Sequence, residues 1–223
     1  MYIEKYGQDF AFVLYQWYID QGKLYDLLSQ DEVYGRLLSA FFAAHPHPEL
    51  SWIHSIAIKD YGGAATALQA VEEDTTSLAQ KHLQASLGKL AAVADAKARG
   101  QTLQIEELDD SLDLINTENA LREHINETAP GSGHPKKANA KKYVAGLKLS
   151  YPAFEQVLER QVGALLDGDA LDVEGLVDVL TLTMGRDEDA AIALERLAHA
   201  PLPEGRKQVA LISTWRRVYT HDE

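Results

Sequence analysis

Two histidines one residue apart, His45 and His47, are the nearest thing in this chain to a metal-ligand pair. A proline follows each, and no third donor stands close in sequence, whereas zinc needs three or four protein ligands. The segment His45-Pro46-His47-Pro48 therefore reads as a turn between helices. His54, beside Trp52, is of the type that serves as a general base, but no partner for it can be read. A satisfied, partly buried histidine is the ordinary account. Glu106, Glu107, Asp109, Asp110 and Asp113 resemble paired carboxylates, yet on an amphipathic helix they form a solvated face, and calcium-loop spacing is missing. Gly131-Ser132-Gly133 followed by Lys136-Lys137 lacks both the Gly-Lys-Ser/Thr ending and the preceding strand of a phosphate loop. Asn126-Glu127-Thr128 is a formal glycosylation sequon without a secretory signal. Arg206-Lys207 and Arg216-Arg217 make a small basic patch suited to solvent or to an acidic neighbour. No catalytic residue, cofactor or metal ligand is assigned on these grounds.

The elements that would position such groups are helices. Periodic stretches carry the helical period, and no run alternates with period two between turn signals, so the fold class is all-α. Asp9 is placed as the cap of a helix burying Phe10, Val13, Leu14, Trp17 and Tyr18, with Gly22 at its left-handed end. A short turn of helix follows over 24–28, then a helix over 31–44 burying Leu37, Leu38, Phe41 and Phe42. Pro48 opens the next, with Leu50, Trp52, Ile53, Ile56 and Ala57 apolar. Two further helices reach Asp95, the first with Gly62-Gly63 in its opening turn. An acidic helix spans 105–125, and others are expected over 138–149, 152–166, 173–184, 188–199 and 205–218, with Asp172 and Asp187 as caps. Helices of this length without a strict repeat predict an irregular α-solenoid or stack of antiparallel helices. We expect an N-terminal stack over 1–128, a flexible loop over 129–137 rich in turn formers, and a C-terminal module over 138–223. The start, Tyr2, Ile3, Tyr6 and Phe10, reads as the end of a longer helical element, so the chain is expected to be a piece of a larger protein.

Composition narrows function by exclusion. The 223 residues include 21 basic against 34 acidic groups, a net charge of -13, which disfavours nucleic acid and anionic membranes as partners. Cysteine is absent, so disulfides, thiolate metal sites and a Cys nucleophile are ruled out. No apolar run approaches a membrane span, and the chain is nucleocytoplasmic by default.

What remains is surplus apolar surface between Leu50 and Asp95. In the third helix of that stretch Ala79, Leu83, Leu87, Leu90 and Ala94 form a stripe about 80° wide at about 100° per residue. Leu78 projects about 140° from its centre. If the stripe faces the core, Leu78 faces something else. In the preceding helix Tyr61, Ala65 and Leu68 form one apolar line, and Ala64, Ala67 and Val71 a second, too broad for a helix covered on one side. The alternatives are a neighbouring helix of the same stack or a partner protein. We take the partner, with Ile58, Tyr61, Ala65, Leu68 and Leu78 as its contacts.

The stretches from Phe10-Ala11 through Trp17-Tyr18-Ile19-Asp20-Gln21-Gly22-Lys23, Leu27-Leu28-Ser29-Gln30, Leu50-Ser51-Trp52-Ile53-His54 and Leu87-Gly88-Lys89-Leu90-Ala91-Ala92-Val93-Ala94 resemble the C-terminal helical domain of the nucleoporin 133 family, in a fungal form. Similarity is dense before Asp95, diverges between Gln101 and Lys137, and returns loosely over 187–197 and 206–219. The resemblance implies a structural, non-enzymatic piece of the Y-shaped coat of the nuclear pore, located at the nuclear envelope and serving pore assembly, protein transport and mRNA export. It implies docking onto the C-terminal region of a nucleoporin 107/84-type partner, among other Y-complex subunits, through helices matching Tyr61 to Glu72 and Thr76 to Leu83. Tyr61, Leu68 and Leu78 stand where the family carries bulky residues, while Gln69 replaces an aliphatic one. It also implies that this piece touches no membrane and stops short of the family's final helices. The competing readings are a vesicle-coat or adaptor subunit, and an all-α enzyme using His54 and nearby carboxylates.

Overall fold

The computed structural model describes residues 2–29, 32–101, 106–128, 136–147, 152–183, 187–200 and 202–221. Among them the secondary structure is helical apart from one isolated bridge, as the periodicity predicts. The helices are α1 (Tyr2–Asp20), α2 (Leu24–Leu28), α3 (Glu32–Ala44), α4 (Pro48–Ala57), α5 (Tyr61–Asp74), α6 (Leu78–Ala98), α7 (Glu106–Thr128), α8 (Lys136–Gly146), α9 (Glu155–Asp167), α10 (Val173–Thr183), α11 (Asp187–His199) and α12 (Glu204–His221). A 3-10 turn, Pro152–Phe154, leads into α9.

Packing divides the chain into two compact units, residues 1–74 with 83–104, and residues 75–82 with 105–223. These differ from the expected 1–128, 129–137 and 138–223, because α7 packs on α9 and α11. Of the expected loop, residues 129–135 lie outside the described ones, and 136–137 begin α8.

In the first unit the core is aromatic. Ala11 and Tyr15 of α1, Leu27 of α2, Leu38, Phe41 and Phe42 of α3 and Leu50 of α4 are buried together. Phe41 is its hub, with the Tyr15 ring 5.7 Å and the Phe12 ring 5.5 Å away, edge-on as ring quadrupoles prefer. This corrects the expected face of α1. Phe10, Val13 and Trp17 are exposed, whereas Leu14 is half-buried and Tyr18 packs against the core as expected, and the helix turns Ala11 and Tyr15 fully inward. Asp9 is not a cap either, since α1 starts at Tyr2 and is broken at Gly7 (φ 75°). Gly22 is left-handed as expected (φ 66°), and Lys23 N–H donates to the Tyr18 carbonyl at 2.9 Å, closing the helix.

In the second unit α9 and α10 provide the core with Leu158, Val162, Leu165, Leu176, Val179 and Leu180, all buried. Asp172 caps α10, its Oδ1 accepting the Gly175 N–H at 2.8 Å. No side-chain position is described for Asp187. Arg217 of α12 ties that helix down by donating to Asp178 and to Thr181 Oγ1, while its guanidinium lies 5.2 Å from the Phe154 ring.

Candidate partner-docking face

The long helix α6 reverses the expected arrangement. Leu78, expected outside, is fully buried, and its N–H donates to the Gly168 carbonyl at 2.8 Å. Ala85, Gly88, Ala91 and Ala96 are buried too. The leucine stripe expected inside is turned out, with Leu83 58% and Leu90 66% exposed, Val93 beside them exposed and Leu87 half-buried. Size accounts for the reversal. A seam of Ala and Gly lets helix backbones approach closely, and Leu68 of α5 uses that room: its Cβ lies 3.6 Å from where a Cβ on residue 88 would stand. Leucines on the seam would hold the helices apart and open voids, which close-packed interiors do not tolerate. The surplus apolar surface is real, but it lies on the face opposite Leu78.

The five expected contact residues are therefore split. Leu68 and Leu78 are core. Tyr61 and Ala65 are half-buried along α5, and Ile58, in the turn before it, is 47% exposed. Lys59 there has a left-handed backbone (φ 64°), and Asp60 caps α5 by accepting the Gly63 N–H at 3.1 Å. The paired glycines have a local reason. A side chain at residue 63 would collide with the Asp60 carboxylate, and one at residue 62 would crowd the Asp95–Arg99 ion pair. Gln69 is exposed.

The chemistry-bearing residues settle into structural roles. His54 is buried, its Nε2 2.8 Å from Ser39 Oγ, which in turn donates to the Gly35 carbonyl at 3.0 Å. Burial pushes the imidazole below its ordinary pKa of 6.5, which the Gly35 backbone and Asp60 oppose. His45 stacks on Phe41 at 5.0 Å and His47 faces the same ring at 6.1 Å, so both histidines of the proline turn cap the aromatic core. Among the described residues no group of three or more His, Cys, Asp or Glu could hold a metal. Likewise no described helix is long and apolar enough to cross a membrane. Asp113 pairs with Arg196 at 3.3 Å, and Arg206 of the basic patch donates to both carboxylate oxygens of Glu174. The side chains of Glu106, Glu107 and Asp109 lie outside the described residues.

Comparison with known proteins decides the family of this chain, because residues 1–218 match the model of the non-repetitive/WGA-negative nucleoporin C-terminal domain. The chain belongs to that family. It is 25% identical over 244 aligned positions to nucleoporin nup132 of Schizosaccharomyces pombe, an alignment covering 99% of this chain and 20% of that protein. It is 37% identical over 95 residues to the nuclear pore complex protein Nup133 of Danio rerio, and 39% over 88 residues to that of Homo sapiens. Those two matches cover 42% and 39% of this chain and 8% and 7% of the relatives. The chain thus spans about a fifth of the fission-yeast protein and less of the vertebrate ones.

Sequence reasoning missed Glu118, Thr181, Asp189 and Thr214, polar residues that this nucleoporin domain buries. Glu118 stands on α7 three residues after the buried Ile115 and one turn before Arg122, and that spacing was the available signal.

Proposed function

We propose that this domain is a non-enzymatic scaffold of the nuclear pore complex at the nuclear envelope, and that it docks end to end onto the C-terminal helical region of a nucleoporin 107/84-type subunit. In this reading it serves pore assembly and, through it, protein and mRNA transport. The observation that carries it is the leucine face of α6. Leu83 and Leu90 stand out from a helix whose other side is already packed, and such a second apolar face calls for a second partner. Ile58 and the half-buried Tyr61 lie in the same compact unit and add apolar contact area. Leu68, packed at Gly88, supports the helix from its buried side.

The test is co-purification with the C-terminal region of the nucleoporin 107/84-type subunit. Leu83→Asp with Leu90→Asp should abolish the complex while circular dichroism and melting stay as in the parent chain. A complex of unchanged affinity in that double variant would overturn the face. Capture of a vesicle-coat subunit in place of the nucleoporin would overturn the partner.

A further inference from the structure

Glu118 is buried to 1% exposure on α7, and its Oε2 accepts the Leu171 N–H at 3.4 Å. Leu171 ends a loop that does unusual work for an all-helical protein. Its Gly168 carbonyl accepts the Leu78 N–H at 2.8 Å, its Ala170 N–H donates to the Thr76 carbonyl at 2.7 Å, and Asp169 bridges Ser77 in antiparallel fashion. The loop thus holds the three residues from which α6 springs, and the carboxyl of Glu118 holds the loop. All of these residues belong to the second compact unit. We propose that Glu118 is a proton-operated pin: neutral, it locks the 168–171 loop onto residues 76–78, and ionised, it loosens them.

The charged groups around the carboxyl fix the sense of the switch. Lys81, in the first turn of α6, favours the ionised form, and Asp172, at the start of α10, opposes it. Arg122, one turn further along α7, lies with its guanidinium 3.7 Å from where a Cβ on Gly168 would stand. On α11, Arg196 is engaged by Asp113. Burial outweighs the Lys81 cation and the Leu171 backbone donor, pushing the carboxyl up from its ordinary 4.5 to about 7. Ionisation therefore falls near neutral pH. A buried carboxylate held by the long Leu171 hydrogen bond regains its hydration only if the loop lets water in.

Amide hydrogen exchange tests the pin on the intact chain. The quantity read is the protection of Leu78, Ala170 and Leu171 relative to Glu118→Gln at the same pH, which cancels the intrinsic pH dependence of exchange. With a carboxyl titrating at about 7 when closed and 4.5 when open, that ratio should fall about tenfold between pH 6 and pH 8. A ratio that does not change with pH would overturn the proposal. Lys81→Met provides an independent arm. Removing the cation should move the midpoint of loosening to higher pH, and an unmoved or lowered midpoint would equally refute the pin.

Discussion

Alanine substitution on opposite sides of α6 separates a docking face from a core face. Leu90 keeps 66% of its surface in water and Leu83 58%. Fully burying a leucine is worth about 1.5 to 3 kcal/mol, so covering the remaining two-thirds contributes about 1 to 2 kcal/mol per residue to a complex. Each Leu→Ala change there should weaken partner binding about 5- to 30-fold, and the pair about 30- to 1,000-fold if the two effects add. Stability should move by less than about 0.5 kcal/mol, because alanine is the best helix former and nothing packed is removed. Leu78→Ala should behave in the opposite way. Its side chain is fully enclosed, and truncation opens a cavity that costs about 2 to 5 kcal/mol. The unit that holds Leu78 should then melt roughly 4 to 20 °C lower. Isothermal titration with the nucleoporin 107/84-type C-terminal region, read beside thermal melts, measures both quantities. Should Leu78→Ala weaken binding without lowering the melting temperature, or Leu83→Ala and Leu90→Ala destabilise the fold, the orientation of α6 argued above is wrong.

Three further perturbations address the packing of each unit. Since burial keeps His54 neutral while the unfolded chain protonates near 6.5, its contribution to the first unit is present above pH 6.5 and is lost as pH falls below it. Denaturant unfolding in buffers of matched ionic strength from pH 7.5 to 5 should show that loss in the parent chain and a flatter profile in His54→Gln, which keeps a donor and acceptor for Ser39. Gly168→Ala puts a Cβ on a left-handed residue (φ 92°) in ordinary contact with Arg122, so the cost is conformational, about 1 to 2 kcal/mol, visible as a lower urea midpoint. Arg217→Met removes a charged donor from both Asp178 and Thr181 and should destabilise the second unit by about 1.5 to 3 kcal/mol in the same assay.

The helices themselves were legible in the sequence because their signals are local. Pro48 at the first position of α4, Gly22 past α1 and Asp172 ahead of α10 each solve a backbone problem within four residues, and each sits where expected. His54 was legible to the same degree: its residue type and position announced a satisfied buried histidine, and only the identity of Ser39, 15 residues away, needed the fold. The faces of α1 and α6 were not legible, since which side of a helix is buried depends on neighbours remote in sequence. Leu68 and Gly88 illustrate this, the bulk of one being accommodated by the absence of bulk in the other.

The two misassigned faces fail in one direction. In α1 the interior takes Ala11 and Tyr15 and leaves Val13 and Trp17 in water, and in α6 it takes Ala85, Gly88 and Ala91 and leaves Leu83 and Leu90. Choosing a core face by summed hydrophobicity selects the bulkiest residues, whereas close-packed helices select those whose volumes fit. For an isolated globular domain the two criteria agree, because bulky side chains left outside gain nothing. Where they diverge on the same helix, the bulky face adds little to the domain's own stability, and contact with another chain is a sufficient account of it. On that reasoning the divergence between hydrophobic and packed faces is what the proposed docking surface rests on, and in this nucleoporin domain the divergence is clearest along α6, from Leu83 to Val93.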